Sequence, residues 1–454
     1  MIRTSRFLLK PLTTSDVTSQ YVQWLHDDMA QRYITAAAVH QDIETVSAFV
    51  RERENRDDVL FLAIFVASTG EHIGNIKFEP VSTATRTATM GILLGERNWR
   101  SRGVAAEVLE ACAHWLYANR SVVHIRLGVH RDNAAAIRAY EKVGFRLIGQ
   151  QSSSNPHGLQ MQYDYNYRSR LAVGTVQFGM NYGVANMSGQ VSHTDAAMIL
   201  ERAREAGINT LDTAAAYGDS ELRLGQIGVG DWRVVSKLSS LSDSCEDVAR
   251  WVETSVRESL ERLAIPKLYG LLLHRPENLL AKHGAELYAA MQNLKAQGLI
   301  TKIGVSVYDP SELESLFPAF ELDLVQAPYN VVDRRLATSG WLKRLKDSGV
   351  EVHTRSVFLQ GLLLQQTNQR PTRFARWQTL WNSWDKWLEE TKLTPLQACL
   401  AFALSNQDID RVLVGLDSVP QLTEVLAAAA PISVVVPDGL SSDDVELVNP
   451  SNWA

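Results

Sequence analysis

The chain has 454 residues, of which 45% are hydrophobic and 21% charged, and its net charge is −6. This length predicts two or three domains, and the scattered lysines and arginines argue against a nucleic-acid partner. The apolar runs fall far short of the ~20 residues of a membrane span, and the start lacks the features of a signal peptide. Three widely spaced cysteines offer no disulfide or metal-ligand pattern. We therefore expect a cytoplasmic protein without a membrane partner or a metal site.

The pattern of the chain changes near residue 167. Residues 1–167 show a mixed α+β pattern, whereas short apolar strands alternate with amphipathic helices over residues 168–454. We therefore predict two domains with these boundaries. The sequence leaves open whether the chain forms a homo-oligomer.

In the first domain, a predicted strand at 87–94 is followed by the segment Trp-Arg-Ser-Arg-Gly-Val-Ala-Ala-Glu at 99–107, which opens a helix at 105–118. A glycine at a helix start leaves backbone N–H groups free to bind an anion such as a pyrophosphate. Such a glycine alone is equally typical of a tight turn.

A second segment favours the anion site. After the strand at 124–129, Asn133 can cap a helix, and Tyr140 lies two turns later on the same face. Together the two segments resemble the acetyl-CoA site of the GNAT N-acetyltransferases. The resemblance implies that Asn133 contacts CoA and that Tyr140 protonates the departing thiolate. It also implies a pyrophosphate loop of Arg100, Arg102, Gly103, Val104 and Ala105, where Ala105 replaces a second glycine, as the family pattern allows.

Acetyl transfer needs a neutral amine and hence a general base. Glu79, at the end of the predicted strand 72–79, is one candidate, although it equally suits a solvated carboxylate. The runs at 7–12 and 21–28 resemble the subgroup that acetylates protein N-termini or nucleotide-linked amino sugars. We favour amino sugars, while Trp24 within the second run would also suit a hydrophobic core.

The second domain shows eight short apolar strands separated by helices, which predicts a closed parallel (β/α)₈ barrel. In its first helix we expect Thr194 as the N-cap and Gly207 at the end. The predicted strands are 171–176, 210–212, 233–237, 270–274, 303–306, 324–327, 351–355 and 411–415.

Four polar residues lie at or just past the ends of these strands, where such barrels keep catalytic groups. They are Asp212, Tyr217, Lys237 and His274. The Lys237 ammonium, held by a carboxylate, would lower the pKa of the Tyr217 phenol. Tyr217 could then protonate a carbonyl oxygen while a hydride reaches the carbon.

In order and spacing, this set resembles the catalytic tetrad of the aldo-keto reductases, and the resemblance extends over residues 168 to about 435. It implies NADP or NAD as cofactor. The residues at the family's cofactor-contact positions are Ser306, Gln326 and Ser356 on the nicotinamide and phosphate side, and Gly415, Ser418, Gln421 and Glu424 at the adenosine end.

Several positions depart from the family pattern. Val307 replaces a frequent asparagine, and Arg355 stands where an aromatic ring often stacks on the nicotinamide, a role that guanidinium can also fill. Gly415 and Gln421 replace the Lys and Arg that often clamp a 2′-phosphate, and Asp417 adds negative charge. A preference for NADP over NAD is therefore in doubt.

Four tryptophans at helical spacing, Trp377, Trp381, Trp384 and Trp387, predict a stripe on one helix face. Core or interface packing is the favoured interpretation. The alternative is a pocket wall on which a sugar ring or base stacks.

We therefore predict a bifunctional enzyme with small-molecule substrates. One activity is acetyl-CoA-dependent N-acetylation of a primary amine, on an amino sugar or nucleotide-linked amino sugar. The other is NAD(P)-dependent carbonyl or alcohol oxidoreduction, with both in bacterial surface-glycan biosynthesis. The alternatives are a protein N-terminal acetyltransferase fused to a general carbonyl reductase, or one domain acting as a non-catalytic cofactor-binding module.

Overall fold

A computed structural model describes residues 1–33, 41–152, 155–184, 186, 189–429 and 434–453. The chain divides into two compact units, Met1–Tyr165 and Asn166–Ala454.

The first unit is built on an eight-stranded mixed sheet. Its strand order is β1-β2-β3-β4-β5-β6-β8-β7, and neighbours are antiparallel except for the parallel pair β5 and β6. The strands are β1 (Ile2–Arg3), β2 (Phe7–Pro11), β3 (Leu60–Val66), β4 (His72–Ser82), β5 (Thr87–Leu94), β6 (His124–His130), β7 (Arg146–Ser152) and β8 (Asn155–Asp164).

Helices cover both faces of this sheet. On β3, Ile64 packs in a cluster with the helix that starts at Val104, whereas its neighbour Ala63 packs in another cluster with Tyr21 and Trp24. Successive strand residues point to opposite faces, so each face has its own core. The helices are α1 (Ser19–Leu25), α2 (Asp28–Tyr33), α3 (Ile43–Arg51), α4 (Val104–Arg120) and α5 (Ala134–Val143).

The parallel pair β5 and β6 separates part of the way along its length. Its ladder runs only from Thr87 paired with His124 to Thr89 paired with Arg126. Beyond this point β5 continues to Leu94 beside β4 alone. Unpaired backbone groups of β5 are therefore available to a ligand between the strands.

The second unit confirms the predicted barrel. Eight parallel strands close in the order β10-β11-β12-β13-β14-β15-β16-β9. They are β9 (Leu171–Gly174), β10 (Thr210–Asp212), β11 (Arg233–Leu238), β12 (Leu268–Leu273), β13 (Ile300–Ser306), β14 (Leu324–Pro328), β15 (Glu351–Arg355) and β16 (Arg411–Gly415).

Helices connect these strands. The helix His193–Glu205, the first barrel helix predicted from the sequence, ends near Gly207 (φ 83°), as expected. Its N-cap is Ser192 rather than the predicted Thr194. The Ser192 hydroxyl accepts a hydrogen bond from the Asp195 N–H at 3.1 Å. The helices are α6 (Val176–Gly179), α7 (His193–Glu205), α8 (Ser220–Ile227), α9 (Val248–Leu263), α10 (Gly284–Ala296), α11 (Leu313–Leu316), α12 (Arg335–Thr338), α13 (Trp341–Asp347), α14 (Gln378–Thr391), α15 (Pro395–Ser405), α16 (Val419–Ala428) and α17 (Val445–Val448).

The tryptophan stripe belongs to the hydrophobic core of this unit. Trp381, Trp384 and Trp387 on α14 are buried. Trp377 packs against the same core, and its indole N–H donates to Asp444 at 3.0 Å. The packing interpretation therefore accounts for the stripe.

Within the described ranges, no helix is long and apolar enough to cross a membrane. The same ranges hold no group of three or more His, Cys, Asp or Glu side chains that could bind a metal ion.

Candidate active sites

The closed barrel brings the four predicted tetrad residues to one end. Asp212 ends β10, Lys237 lies near the end of β11, and His274 follows β12. Tyr217 lies in the loop after β10. Because all the strands are parallel, their carboxyl ends meet at this rim.

A buried ion pair forms the centre of this site. Lys237 Nζ donates to Asp212 Oδ2 at 2.7 Å and to the Thr213 carbonyl at 3.0 Å. The two side chains are only 1% and 5% exposed. Gln326 Nε2 donates to the other Asp212 oxygen at 2.7 Å. Burial opposes the charge on Lys237, but the Asp212 carboxylate outweighs it and raises the lysine pKa, so Lys237 is an ammonium.

Tyr217 lies against this ion pair. Lys237 Nζ is 5.1 Å from the centre of the phenol ring, and the His274 ring is 6.0 Å away in an edge-on orientation. Burial raises the pKa of Tyr217, and Lys237 offsets only part of this effect. From the sequence we expect Lys237 to lower the pKa of Tyr217, but that expectation does not include the deep burial of the phenol. The phenol is therefore protonated at neutral pH and able to donate its proton.

His274 is uncharged at neutral pH. Burial and the nearby cations Lys237 and Arg355 lower its pKa to about 4. A neutral imidazole beside the phenol can hydrogen-bond a substrate oxygen without competing for the proton of Tyr217.

A cavity of about 340 Å³ opens beside the tetrad. Two predicted cofactor residues lie outside its walls. Ser306 lies behind Gln326, to which its hydroxyl donates at 3.3 Å. Ser418 caps α16 and lines a separate surface cleft. The predicted residues that line the cavity are Asp212, Tyr217, Gln326, Ser356, Gly415, Gln421 and Glu424, together with Arg355 and Asp417.

The cavity suits a dinucleotide. Gln177 Oε1 and Asp417 Oδ1 are buried oxygen atoms that find no hydrogen-bond partner among the described residues, and both residues line the cavity. Buried acceptors of this kind are costly unless a donor meets them. Ribose hydroxyls and a carboxamide would supply donors, so these residues fit NAD(P).

Sequence reasoning missed the loops that close this cavity. Gln177, Tyr182 and Gln360 line it, and Gln360 Nε2 donates to the Tyr182 hydroxyl at 3.0 Å. A Cβ on Gly179 would lie 1.7 Å from the Tyr217 carbonyl oxygen. The end of α6, the short helix after β9, therefore packs directly on the loop that carries Tyr217. The Phe-Gly-Met-Asn-Tyr-Gly run at 178–183 is the one sequence signal for it.

The first unit presents a helix N-terminus where the sequence predicts a pyrophosphate. Gly103 precedes α4 with φ 74° and provides no side-chain cap, which leaves the first N–H groups available, including those of Val104 and Ala105. Arg100 is turned away, because its guanidinium donates to the Leu94 carbonyl at 3.0 Å.

Other contacts hold this loop. Arg100 also reaches Asp27 at 3.4 Å. The Arg102 carbonyl accepts a hydrogen bond from Arg6 at 3.0 Å, while the Arg102 guanidinium lies over Trp99 at 5.9 Å. The backbone of the loop, rather than the Arg100 side chain, is therefore the part best placed to bind an anion.

Asn133 immediately precedes α5 and Tyr140 lies on that helix, as the sequence predicts. The Asn133 side chain caps the helix by accepting the Ala136 N–H at 3.2 Å. Tyr140 packs against Phe145, with ring centres 5.5 Å apart, and burial raises its pKa to about 12. Tyr140 therefore holds its proton at neutral pH.

The separated strands β5 and β6 fit the extended arm of acetyl-CoA. Gly91 lies on the stretch of β5 that β6 does not pair, and a Cβ added there would meet no atom within 4 Å. An open strand edge offers backbone hydrogen bonds to an amide-containing chain. The bound cofactor would supply the thioester.

Glu79 is a poor candidate for the general base. Its carboxylate is paired with Arg53 at 2.8 Å, Arg56 at 3.1 Å and Lys77 at 2.7 Å. Burial favours the neutral acid, but the Lys77 and Arg53 hydrogen bonds outweigh it and lower the pKa. A carboxylate held by three cations accepts a proton weakly.

Comparisons with known proteins agree with both units. The sequence model of the acetyltransferase (GNAT) domain matches residues 6–146, and that of the aldo/keto reductase family matches residues 170–434. L-galactose dehydrogenase from Arabidopsis thaliana is 29% identical over 61% of this chain and 91% of its own. D-threo-aldose 1-dehydrogenase from a Pseudomonas species is 28% identical over 61% of this chain and 95% of its own.

The first unit has its own relative. L-amino acid N-acetyltransferase from Escherichia coli K12 is 36% identical over 86 residues, which are 18% of this chain and 50% of that protein. GNAT domains use acetyl-CoA and aldo/keto reductases use NAD(P)H, and both families are enzymes. The chain belongs to the aldo/keto reductase family and carries a GNAT acetyltransferase domain ahead of its barrel.

Proposed function

We propose that the barrel interconverts a carbonyl and an alcohol, with Tyr217 as the proton donor and acceptor. The observation that carries this proposal is the buried Lys237–Asp212 pair beside the Tyr217 ring at the wall of the cavity. A phenolate formed by proton donation would be stabilised by the Lys237 ammonium. Asp212 keeps that ammonium in place.

The residues that line the cavity would hold NAD(P)H, which when bound would supply a hydride for the carbonyl carbon. Tyr217 gives its proton to the oxygen, so an alcohol leaves and a phenolate remains for solvent to reprotonate. His274, neutral at pH 7, orients the oxygen by a hydrogen bond. Run backwards, the same residues oxidise an alcohol, since the donor becomes the acceptor.

We propose a sugar as the substrate of the barrel. The two relatives named above are named for the dehydrogenation of L-galactose and of aldoses. In the first unit, the runs at 7–12 and 21–28, for which we favour an amino-sugar acceptor over a protein N-terminus, agree with the same compound class. A place in bacterial surface-glycan biosynthesis, with both steps in the cytoplasm, extends this proposal.

For the first unit we propose N-acetylation of an amino sugar or nucleotide-linked amino sugar. The α4 N-terminus after Gly103 holds the pyrophosphate, Asn133 contacts CoA, and Tyr140 protonates the thiolate. A second candidate acceptor is an L-amino acid, because the acetyltransferase relative is named for that activity.

An assay of both activities on the full chain tests these proposals. CoA release is measured with glucosamine, a UDP-linked amino sugar, L-amino acids and a peptide. NAD(P)H formation is measured with aldoses, and NAD(P)H consumption with keto sugars. We expect amino sugars and aldoses to be the preferred substrates. Preference for peptides or amino acids in the first assay would replace the sugar acceptor. Absence of turnover with every sugar in the second assay would remove the sugar proposal for the barrel.

A further inference from the structure

Arg355 is a cation at the catalytic end of the barrel that the proton transfer does not require. It is the last residue of β15, it lines the same cavity as Tyr217, and it is half-buried. Its charge acts on the tetrad, because it contributes to lowering the pKa of His274 and opposes the raised pKa of Tyr217.

The contacts of Arg355 fix its position and leave its charge unbalanced. The guanidinium lies over the Tyr308 ring at 4.4 Å. It donates to the Val307 carbonyl at 3.0 Å and to the Ser356 hydroxyl at 3.3 Å. These three partners are uncharged. They orient the planar donor group without neutralising it.

The nearby acids are already paired with another arginine. Asp333 is bound by Arg335 through both of its carboxylate oxygens at 2.9 Å, and Asp309 also pairs with Arg335. Among the described residues, no carboxylate lies within ion-pair distance of Arg355. A half-buried guanidinium without a counterion favours an anionic ligand.

The charges along the cavity separate the places for different ligand groups. Asp417 and Glu424 line one part of it, near Gly415, and make that part unfavourable for an anionic group of the sugar. Asp212 is neutralised by Lys237. Among the described residues that line the cavity, Arg355 is therefore the one with an uncompensated positive charge, and it shares the cavity with Tyr217.

We propose that Arg355 binds an anionic group, carboxylate or phosphate, on the sugar whose carbonyl or alcohol reacts at Tyr217. This inference rests on the proposed sugar oxidoreduction and specifies the class of sugar. One charge-assisted contact corresponds to a preference of about tenfold to a hundredfold over a neutral sugar of the same shape. A sugar acid, a sugar phosphate and a nucleotide-linked sugar all carry such a group.

Calorimetric titration of the protein–NADH complex tests this proposal with three matched sugars. D-galactose is neutral, D-galacturonate carries a carboxylate, and D-galactose 6-phosphate carries a phosphate. We expect one or both anionic sugars to bind at least tenfold more tightly than galactose, and the stronger of the two identifies the anion. Arg355→Met should reduce this preference to less than threefold, and Arg355→Lys should retain part of it.

Arg257 provides the control. It lies exposed on α9 in an ion pair with Glu253, so Arg257→Met should preserve the wild-type preference. Equal or undetectable binding of the anionic sugars by the wild type would overturn the proposal, as would a preference that survives in folded Arg355→Met. A tenfold weaker affinity for NADH in that variant, with the sugar preference intact, would assign Arg355 to the cofactor instead. Arg355-dependent binding without turnover would leave this inference standing and remove the proposed sugar oxidoreduction.

Discussion

The two candidate sites of this chain are built in different ways. In the barrel, the reactive side chains contact one another, because Lys237 bonds Asp212 directly and lies beside Tyr217. In the first unit, Asn133 caps its own helix and Tyr140 packs on Phe145. The barrel side chains form a connected group before any ligand binds, whereas Asn133 and Tyr140 each make only local contacts, with Ala136 and Phe145.

This difference has a physical basis in the two reactions. The barrel reaction leaves an alkoxide-like oxygen that needs a proton in the transition state, so the proton donor and its charge support must be in place. Acetyl transfer releases a thiolate, and a thiol is far more acidic than an alcohol (about 8.5 for the pKa of a cysteine), so it is a tolerable leaving group. The acetyltransferase site can therefore rely more on backbone N–H groups and strand edges that position the cofactor.

The largest expected effect comes from removing the proton donor of the barrel. Tyr217→Phe should lower kcat for carbonyl reduction about 10²–10⁴-fold, the usual contribution of general acid catalysis. Affinity for NADH, measured by fluorescence quenching, should change little. Acetyl transfer by the same variant serves as the internal control. A loss below tenfold, with chemistry shown to limit the rate, would remove Tyr217 from this role.

Lys237→Met should affect both activity and stability. It withdraws the charge that supports the phenolate, so reduction should fall as far as in Tyr217→Phe, and the two losses should not add. It also leaves Asp212 buried without its cation, which should cost about 3–5 kcal/mol in the free energy of unfolding of the barrel. Urea unfolding followed by barrel tryptophan fluorescence measures this cost.

The control for Lys237→Met is Lys343→Met, which removes a lysine paired with Asp347 on the surface of α13. This variant should unfold at the wild-type urea concentration. A double variant, Asp212→Asn with Lys237→Met, should recover part of the stability without recovering activity. An unchanged stability in Lys237→Met would mean that the ion pair does not hold the site together.

Tyr140→Phe should have a smaller effect than Tyr217→Phe. Because a thiolate leaves without full protonation, we expect acetyl transfer to slow about tenfold at neutral pH, below the usual range for an acid catalyst. Reduction by the barrel should remain at the wild-type rate. A thousandfold loss would mean that acetyl transfer depends on its proton donor as strongly as the barrel reaction does, which would contradict the difference between the two sites.

The fold, and the placement of the four tetrad candidates at one end of the barrel, were accessible from the sequence because their signals are local. Most barrel strands contain a short apolar run, and Asp212 and Lys237 lie at or near the ends of their strands. Even so, the N-cap of α7 is Ser192 and not the predicted Thr194, since several polar residues near a helix start can each act as its cap.

Contacts between distant segments could not be predicted in this way. Arg100 contacts Asp27 and the Leu94 carbonyl, and Glu79 pairs with three cations. These contacts join side chains and carbonyls that only folding brings together. The same holds for the deep burial that raises the pKa of Tyr217. Composition and spacing indicate which charged and polar side chains the chain contains, but not which of them already have a partner in the folded protein.

The smallest expected effect concerns the choice of dinucleotide, which tests how specific the preformed barrel cavity is. Apart from Arg355, no Lys or Arg is among the residues that line the cavity in the described part of the chain. Gln421 at the adenosine end bonds the backbone N–H of Asp417 at 2.8 Å. We expect the Kd values for NADH and NADPH to lie within about tenfold of each other. Gln421→Arg should then favour NADPH by about tenfold or more, since one charge-assisted contact contributes roughly 1.5–3 kcal/mol. Arg411 does not bind the 2′-phosphate of NADPH, because it lies at the start of β16 and donates to Thr210 at 3.1 Å. Arg411→Ala should therefore leave the ratio of the two Kd values unchanged. A wild-type preference for NADPH of a hundredfold would show that another residue supplies the clamp.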